Sequence, residues 1–192
     1  MKMKTKAALV LASQSPRRAQ LLTEAGFDFE VFTRPVEEII PEDIHPRAVA
    51  VLISENKAKS YTDVAQDKIV VTADTIVALD GEVLGKPESM AQAQEMLQRL
   101  SGRSHTVISG ATIYHKGRFK SISEETKVTF RKLGDSEINY YVENYRPYDK
   151  AGSYGIQEWI GMIGVSRIEG DFYNVMGLPI GKLYQELLHL EF

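Results

Sequence analysis

Two rhythms of hydrophobic and polar residues divide this chain: near-continuous apolar runs for buried strands, and a three-to-four-residue repeat for helices. Ala7 to Leu11 is a short apolar run that reads as the end of a strand. Ser15 then suits an N-cap and Pro16 the first helical position. Leu21, Leu22 and Ala25 give that helix its core face before Gly26 stops it. Alternation from Phe27 to Phe32 predicts a second strand, followed by a polar segment from Thr33 to Pro46. Pro46 opens a helix to about Tyr61, with Val49, Leu52 and Ile53 on one face. Ile69 to Leu79 is apolar at nearly every position, as a central strand covered on both faces is. Asp80-Gly81 is a hairpin signal leading into Glu82-Val83-Leu84. Met90 to Leu100 is a helix with Ala93, Met96, Leu97 and Leu100 inward, and Gly102 is its stop. Thr106–Tyr114 and Phe119–Phe130 read as long strands joined around Lys116-Gly117. Asp135 caps a helix to about Tyr145, which Pro147 ends. A Gly-rich region with strands is expected from Lys150 to Val175, and Pro179 opens a last helix through Leu188.

This order is mixed: βα units, a hairpin, a helix, a second hairpin and a closing helix. It predicts the α/β class, a long twisted mixed β-sheet flanked by helices. The expectation is one domain over residues 1–192, formed of two lobes around a central cleft, with length enough for a real core. The net charge of −3 argues against nucleic acid and anionic membrane as partners, though it leaves room for a local basic site. With no cysteine, disulfide and thiolate chemistry are excluded, which fits a reducing cytoplasm. The apolar part of the start is short and runs into the Pro16-Arg17-Arg18 helix, so export is not expected. No run approaches the length of a membrane span.

The first strand–turn–helix is the leading chemical candidate. A helix N-terminus with Ser13 and Ser15 beside it favours an anion, and Arg17 and Arg18 could grip different parts of one ligand. The alternative is a capped helix with two solvated arginines. Asp74 lies inside the most apolar strand, where an ionised carboxylate must be paired, hydrogen-bonded or metal-bound. Were Glu38 to lie near it, the two would suit Mg²⁺, commonly held by one or two carboxylates and substrate phosphates. The other reading is a buried aspartate satisfied by backbone or threonine donors. Lys57, and Lys86 in Leu84-Gly-Lys-Pro87, are the cations that polyphosphate chemistry requires, or else solvated lysines. Gln157 can donate and accept, so it could read a base edge. Trp159, with Tyr154 nearby, would stack on a base, pack in the core or serve a homodimer contact. His105 reads as structural, and no histidine shows metal-ligand spacing.

Taken in order, Leu11-Ala-Ser-x-Ser-Pro-Arg-Arg18, Val36-Glu-Glu38, Lys57-Ala58, Ala73-Asp-Thr75, Leu84-Gly-Lys-Pro87, Leu100-Ser-Gly-Arg-Ser-His105, Asp149-Lys-Ala-Gly152, Tyr154-Gly-Ile-Gln157 and Val175-Met-Gly-Leu-Pro179 resemble the Maf family over nearly the whole chain. That resemblance implies an inosine triphosphatase-like fold. It also implies a nucleoside triphosphate pyrophosphatase in the cytoplasm, linked to septum formation, that yields a monophosphate and pyrophosphate with a divalent cation, Mg²⁺ or Mn²⁺. Arg17, Thr75 and Gln157 match the branch acting on dTTP and UTP rather than its 7-methyl-GTP sister, with modified pyrimidine nucleotides a further substrate class. The resemblance makes Asp74 catalytic, as proton acceptor or as the residue orienting a metal-bound water. Glu38 and Asp74 become metal ligands; Ser13, Arg18, Lys57 and Lys86 hold the triphosphate, and Arg17, Thr75 and Gln157 select the base. One departure is Glu158, where the branch carries glycine; a carboxylate there bears on base preference. The rival readings are a non-catalytic nucleotide- or nucleic-acid-binding regulator of septum formation and a phosphomonoesterase.

Overall fold

The computed structural model describes residues 3–36 and 44–190. Its seven-stranded mixed sheet is flanked by helices. Strand order is β2 (Phe29–Val31), β1 (Leu9–Leu11), β3 (Ile69–Leu79), β5 (Ser104–His115), β6 (Arg118–Phe130), β7 (Val165–Glu169), with β4 (Glu82–Leu84) paired to β3. By backbone contacts the chain divides into two compact units. One comprises Met1–Asp74, Ser109–Glu124 and Gly177–Phe192; the other comprises Thr75–Ile108 and Glu125–Met176.

In the first unit, β1 (Leu9–Leu11) lies parallel to both β2 (Phe29–Val31) and the start of β3 (Ile69–Leu79). Helix α1 (Pro16–Glu24) buries Leu21 and Leu22, as its spacing requires. Helix α2 (Pro46–Lys59) buries Val49, Ala50, Ile53, Ser54 and Ala58; Leu52 is only half-buried, so the inward face lies slightly round from the expected one. Val10, Ala12, Ala58, Tyr61, Ala65, Val70 and Tyr114 form one apolar cluster. Helix α7 (Ile180–Leu188), entered through Pro179, buries Leu183 and Leu187.

In the second unit, Asp80 and Gly81 both take positive φ, and the turn pairs β3 antiparallel with β4 (Glu82–Leu84). Helix α3 (Met90–Leu100) buries the four predicted residues and packs on α4 (Asp135–Tyr145). The cap of α4 is Gly134 rather than Asp135. Glu137 accepts the Gly134 N–H at 2.8 Å, so Asp135 sits one position inside, where its charge favours the helix dipole. The strands β5 (Ser104–His115) and β6 (Arg118–Phe130) meet at Lys116-Gly117, both at positive φ.

The Gly-rich stretch departs from expectation. It holds one strand, β7 (Val165–Glu169), antiparallel to β6, and two short helices, α5 (Trp159–Gly164) and α6 (Phe172–Met176). Gly161 within α5 has no room for a side chain: a Cβ there would lie 2.0 Å from the Ile156 carbonyl oxygen. That glycine serves close packing of a helical turn, which strand alternation mimics. Among the described residues no helix is long and apolar enough to cross a membrane.

Candidate active site

Strand β3 is buried at nine of its eleven positions, and the break falls at Asp74 and Thr75. Asp74 therefore sits where the burial of the strand is interrupted. Its carboxylate Oδ1 accepts a hydrogen bond from Lys57 Nζ at 2.8 Å, the two side chains being 13% and 17% exposed. The register that makes this pair is legible in hydroxyls. Thr72 donates to the Ser54 carbonyl at 2.6 Å, and Ser54 Oγ lies 2.7 Å from Thr112 Oγ1 on β5. Three residues along α2 brings Lys57 onto the Ser54 face, and two along β3 brings Asp74 onto the Thr72 face. Ser121 continues the network, 3.1 Å from Thr112 and donating to Glu55 at 2.6 Å.

Gly110 allows α2 to lie this close. A Cβ there would stand 2.5 Å from the Ala50 carbonyl carbon and the Val51 nitrogen. Sequence reasoning missed Gly110 as a site residue. The available signal was a glycine inside an apolar strand pattern, which marks close backbone approach.

The α1 turn converges on the same strand. Arg18 donates from Nη1 to Ser13 Oγ at 3.1 Å and to the Ala73 carbonyl at 2.8 Å, and from Nε to the Gly177 carbonyl at 2.7 Å. Arg18 thus ties the α1 turn, β3 and the segment before α7 together. Ser15 Oγ accepts the Arg18 N–H, and Ser13 Oγ accepts the Ser15 N–H. The serines cap the helix start that sequence reasoning offered to an anion. Among the described residues the charged groups gathered here are Arg18, Lys57 and Asp74, all half-buried. The structure therefore brings Ser13, Arg18, Lys57 and Asp74 together, while Arg17 is half-buried on the first turn of α1. Glu38, the other expected metal ligand, lies outside the described residues. Among the described residues no group of three or more His, Cys, Asp or Glu stands ready to hold a metal ion.

Thr75, Lys86 and Gln157 belong to the second unit. Thr75 is half-buried on β3. Lys86 is exposed just after β4, and the preceding Gly85 carbonyl accepts the Gly152 N–H at 3.0 Å, which fixes that loop against Ala151–Ser153. Gly152 takes φ +66, and a Cβ there would meet Val77 at 3.0 Å. Gln157 lies in a turn closed by Glu158 N–H donating to the Gly155 carbonyl at 3.0 Å. Its Oε1 is buried without a hydrogen-bond partner. Glu158 is engaged within the protein: Oε1 lies 3.1 Å from Lys150 Nζ, and Oε2 accepts the Tyr141 hydroxyl. Burial, then the Glu158 carboxylate, push the Tyr141 phenol up, so it stays an O–H donor. Tyr141 Oη in turn accepts the Gly155 N–H at 3.1 Å. Trp159 packs edge-on against Tyr140, while Tyr154 is buried between His105 and Phe130. His105 is structural, its Nε2 lying 2.7 Å from Tyr154 Oη.

Residues 8–190 match the family described as Maf-like protein. A Phocaeicola vulgatus protein named dTTP/UTP pyrophosphatase is 48% identical over 184 residues, covering 95% of each chain. A Parabacteroides distasonis protein of the same name is 50% identical over 183 residues, 94% of this chain and 95% of that protein. Among solved structures, the Staphylococcus aureus Ham1 protein is similar with a TM-score of 0.44 and 17% identity, over 64% of this chain and 71% of that one.

Proposed function

This chain belongs to the Maf family, and from that premise we propose that it hydrolyses dTTP and UTP to the nucleoside monophosphate and pyrophosphate. The observation that carries this reading is a half-buried carboxylate, Asp74, held beside Lys57 and Arg18 where the burial of β3 is interrupted. The near-full-length likeness to proteins named for that activity supports the substrate.

The chemistry follows from the donors. A water oxygen bonds to the α-phosphorus, the bond from that phosphorus to the α–β bridging oxygen breaks, and pyrophosphate leaves with the electron pair. Lys57 takes Oδ1 of Asp74, which leaves Oδ2 either to receive the proton of the attacking water or, where Asp74 holds a cation, to orient that water instead. Lys57 and Arg18 offset the charge that spreads over the phosphoryl oxygens. Ser13, braced by Arg18, and Lys86 complete the triphosphate contacts; Arg17, Thr75 and Gln157 read the base. A divalent cation fits this donor set as one that arrives with substrate, since Mg²⁺ takes one or two carboxylates and completes its shell with phosphates and water. Asp74, joined by Glu38, would hold it. When bound, Mg²⁺ or Mn²⁺ lowers the pKa of water and neutralises charge on the phosphates.

The test is product identity. Purified protein with dTTP and Mg²⁺ yields dTMP and pyrophosphate, stops with chelator, and resumes with Mg²⁺ or Mn²⁺. Release of dTDP and orthophosphate would mark a phosphomonoesterase instead. Saturable binding without product would mark a regulator.

A further inference from the structure

The second unit carries a buried polar cluster that the mechanism above leaves unused. Lys150 is 8% exposed, and its Nζ lies 2.7 Å from Asp149 Oδ1 and 3.1 Å from Glu158 Oε1. A lysine this buried needs its carboxylates. Glu158 Oε2 accepts the Tyr141 hydroxyl, and Tyr141 Oη accepts the Gly155 N–H. Both ends of the Gly155–Glu158 turn are thereby tied to one buried tyrosine. The turn's side chains crowd against Gly155. A Cβ built there would stand 3.0 Å from Glu158 Oε2 and 3.1 Å from Gln157 Nε2, so those two atoms lie no more than about 6 Å apart.

We propose that Glu158 is a positioning residue for base recognition: held by Lys150 and Tyr141, its carboxylate fixes which way the Gln157 amide presents its donor and its acceptor. This rests on the pyrimidine triphosphatase reading. Uracil and thymine offer an N3–H donor beside the O4 acceptor, whereas cytosine offers an N3 acceptor beside an N4 amino donor. A glutamine amide matches the first pair in one orientation and the second after a half-turn about its terminal bond. An unconstrained glutamine therefore discriminates poorly. A fixed carboxylate nearby attracts the positive NH₂ end of the amide and repels its oxygen, so one orientation prevails. The buried, unpartnered Oε1 is then an acceptor whose partner is missing from the protein, which the N3–H of the base supplies. Glu158 does not itself read the base, because Lys150 and Tyr141 occupy its two oxygens.

The experiment compares kcat/KM for dTTP and dCTP in wild type, Glu158→Ala, Tyr141→Phe and Gln157→Ala, with thermal unfolding of each. Wild type prefers dTTP. In Glu158→Ala that preference falls by about tenfold, mainly through KM for dTTP. Tyr141→Phe moves it the same way by a smaller factor, although Tyr141 touches no ligand. Adding Glu158→Ala to Gln157→Ala changes the ratio no further. Equal losses on both nucleotides would make the cluster merely structural and overturn the proposal. A changed preference in Glu158→Ala with none in Tyr141→Phe would overturn it too, by making Glu158 a direct base contact. If Glu158→Ala fails to fold, Tyr141→Phe carries the comparison alone. A wild type that releases no pyrophosphate from either nucleotide overturns the functional reading and this inference with it. A wild type that turns over with an unmoved ratio overturns only the inference.

Discussion

Gly110→Ala tests whether the approach of α2 to the sheet sets the catalytic pair. The new methyl carbon would begin 2.5 Å from two backbone atoms of α2, and ordinary contact starts at 3.4 Å. Backbone cannot rotate away as a side chain can, so α2 must retreat by about 0.9 Å. A retreat of that size stretches the 2.6 Å Thr72–Ser54 bond to about 3.5 Å and the 2.8 Å Lys57–Asp74 bond to about 3.7 Å. Both then lie at or beyond the limit of a hydrogen bond. Overpacking costs about 1–3 kcal/mol, and each buried hydrogen bond lost adds about 1 kcal/mol. The total, about 3–5 kcal/mol, is a large share of the stability of an ordinary domain. It lowers the unfolding midpoint by about 10 °C in a chain of this length. Where the variant stays folded, the misplaced Asp74 lowers kcat by about a hundredfold. Differential scanning fluorimetry and pyrophosphate release measure the two effects. Gly181→Ala is the control: its Cβ meets nothing within 4 Å, and alanine on a helix is neutral or stabilising. A Gly110→Ala protein with an unchanged midpoint and full turnover would refute the reasoning.

Two further outcomes follow from the same side chains. Asp74→Asn keeps an oxygen that accepts from Lys57 but loses the charge, so kcat for dTTP falls by about 10²–10⁴ while the unfolding midpoint moves by a few degrees; wild-type turnover would remove Asp74 from the reaction. His105 is buried against Phe130 and Tyr154 with Nδ1 unpartnered, and burial pushes it down to about 4 from its ordinary 6.5. The unfolded chain then binds the proton more readily, so this stability is fully present above pH 6.5 and is lost as pH falls towards 4, about 2 kcal/mol of it between pH 7 and pH 5. Urea midpoints at the two pH values show that loss in wild type and not in His105→Gln, which keeps a hydrogen bond to Tyr154; equal losses in both would assign the titration elsewhere.

Much of the fold follows from local rules. The eleven apolar-rich residues of β3, the Asp80-Gly81 turn and the four inward residues of α3 can be read in the sequence because periodicity and turn chemistry act within a few residues. Such rules failed between Lys150 and Val175. There Gly161 answers to the Ile156 carbonyl and Gly164 to Phe130 and Leu133, so their reason lies in packing rather than in the turn that glycine suggests.

The candidate site divides in the same way. Composition and order of motifs singled out Ser13, Arg18, Lys57 and Asp74, since a carboxylate in an apolar strand and a serine-capped turn are local anomalies. Only the tertiary structure decided that Lys57 meets Asp74, that Arg18 binds two backbone carbonyls and the Ser13 hydroxyl besides offering charge, and that Lys150 and Tyr141 occupy Glu158. The physical reason is sequence separation. A side chain's neighbours along the chain are set by covalent geometry, but Lys57 and Asp74 come within 2.8 Å only because Gly110 lets one helix settle onto the sheet. That settling is a property of all the packed residues at once.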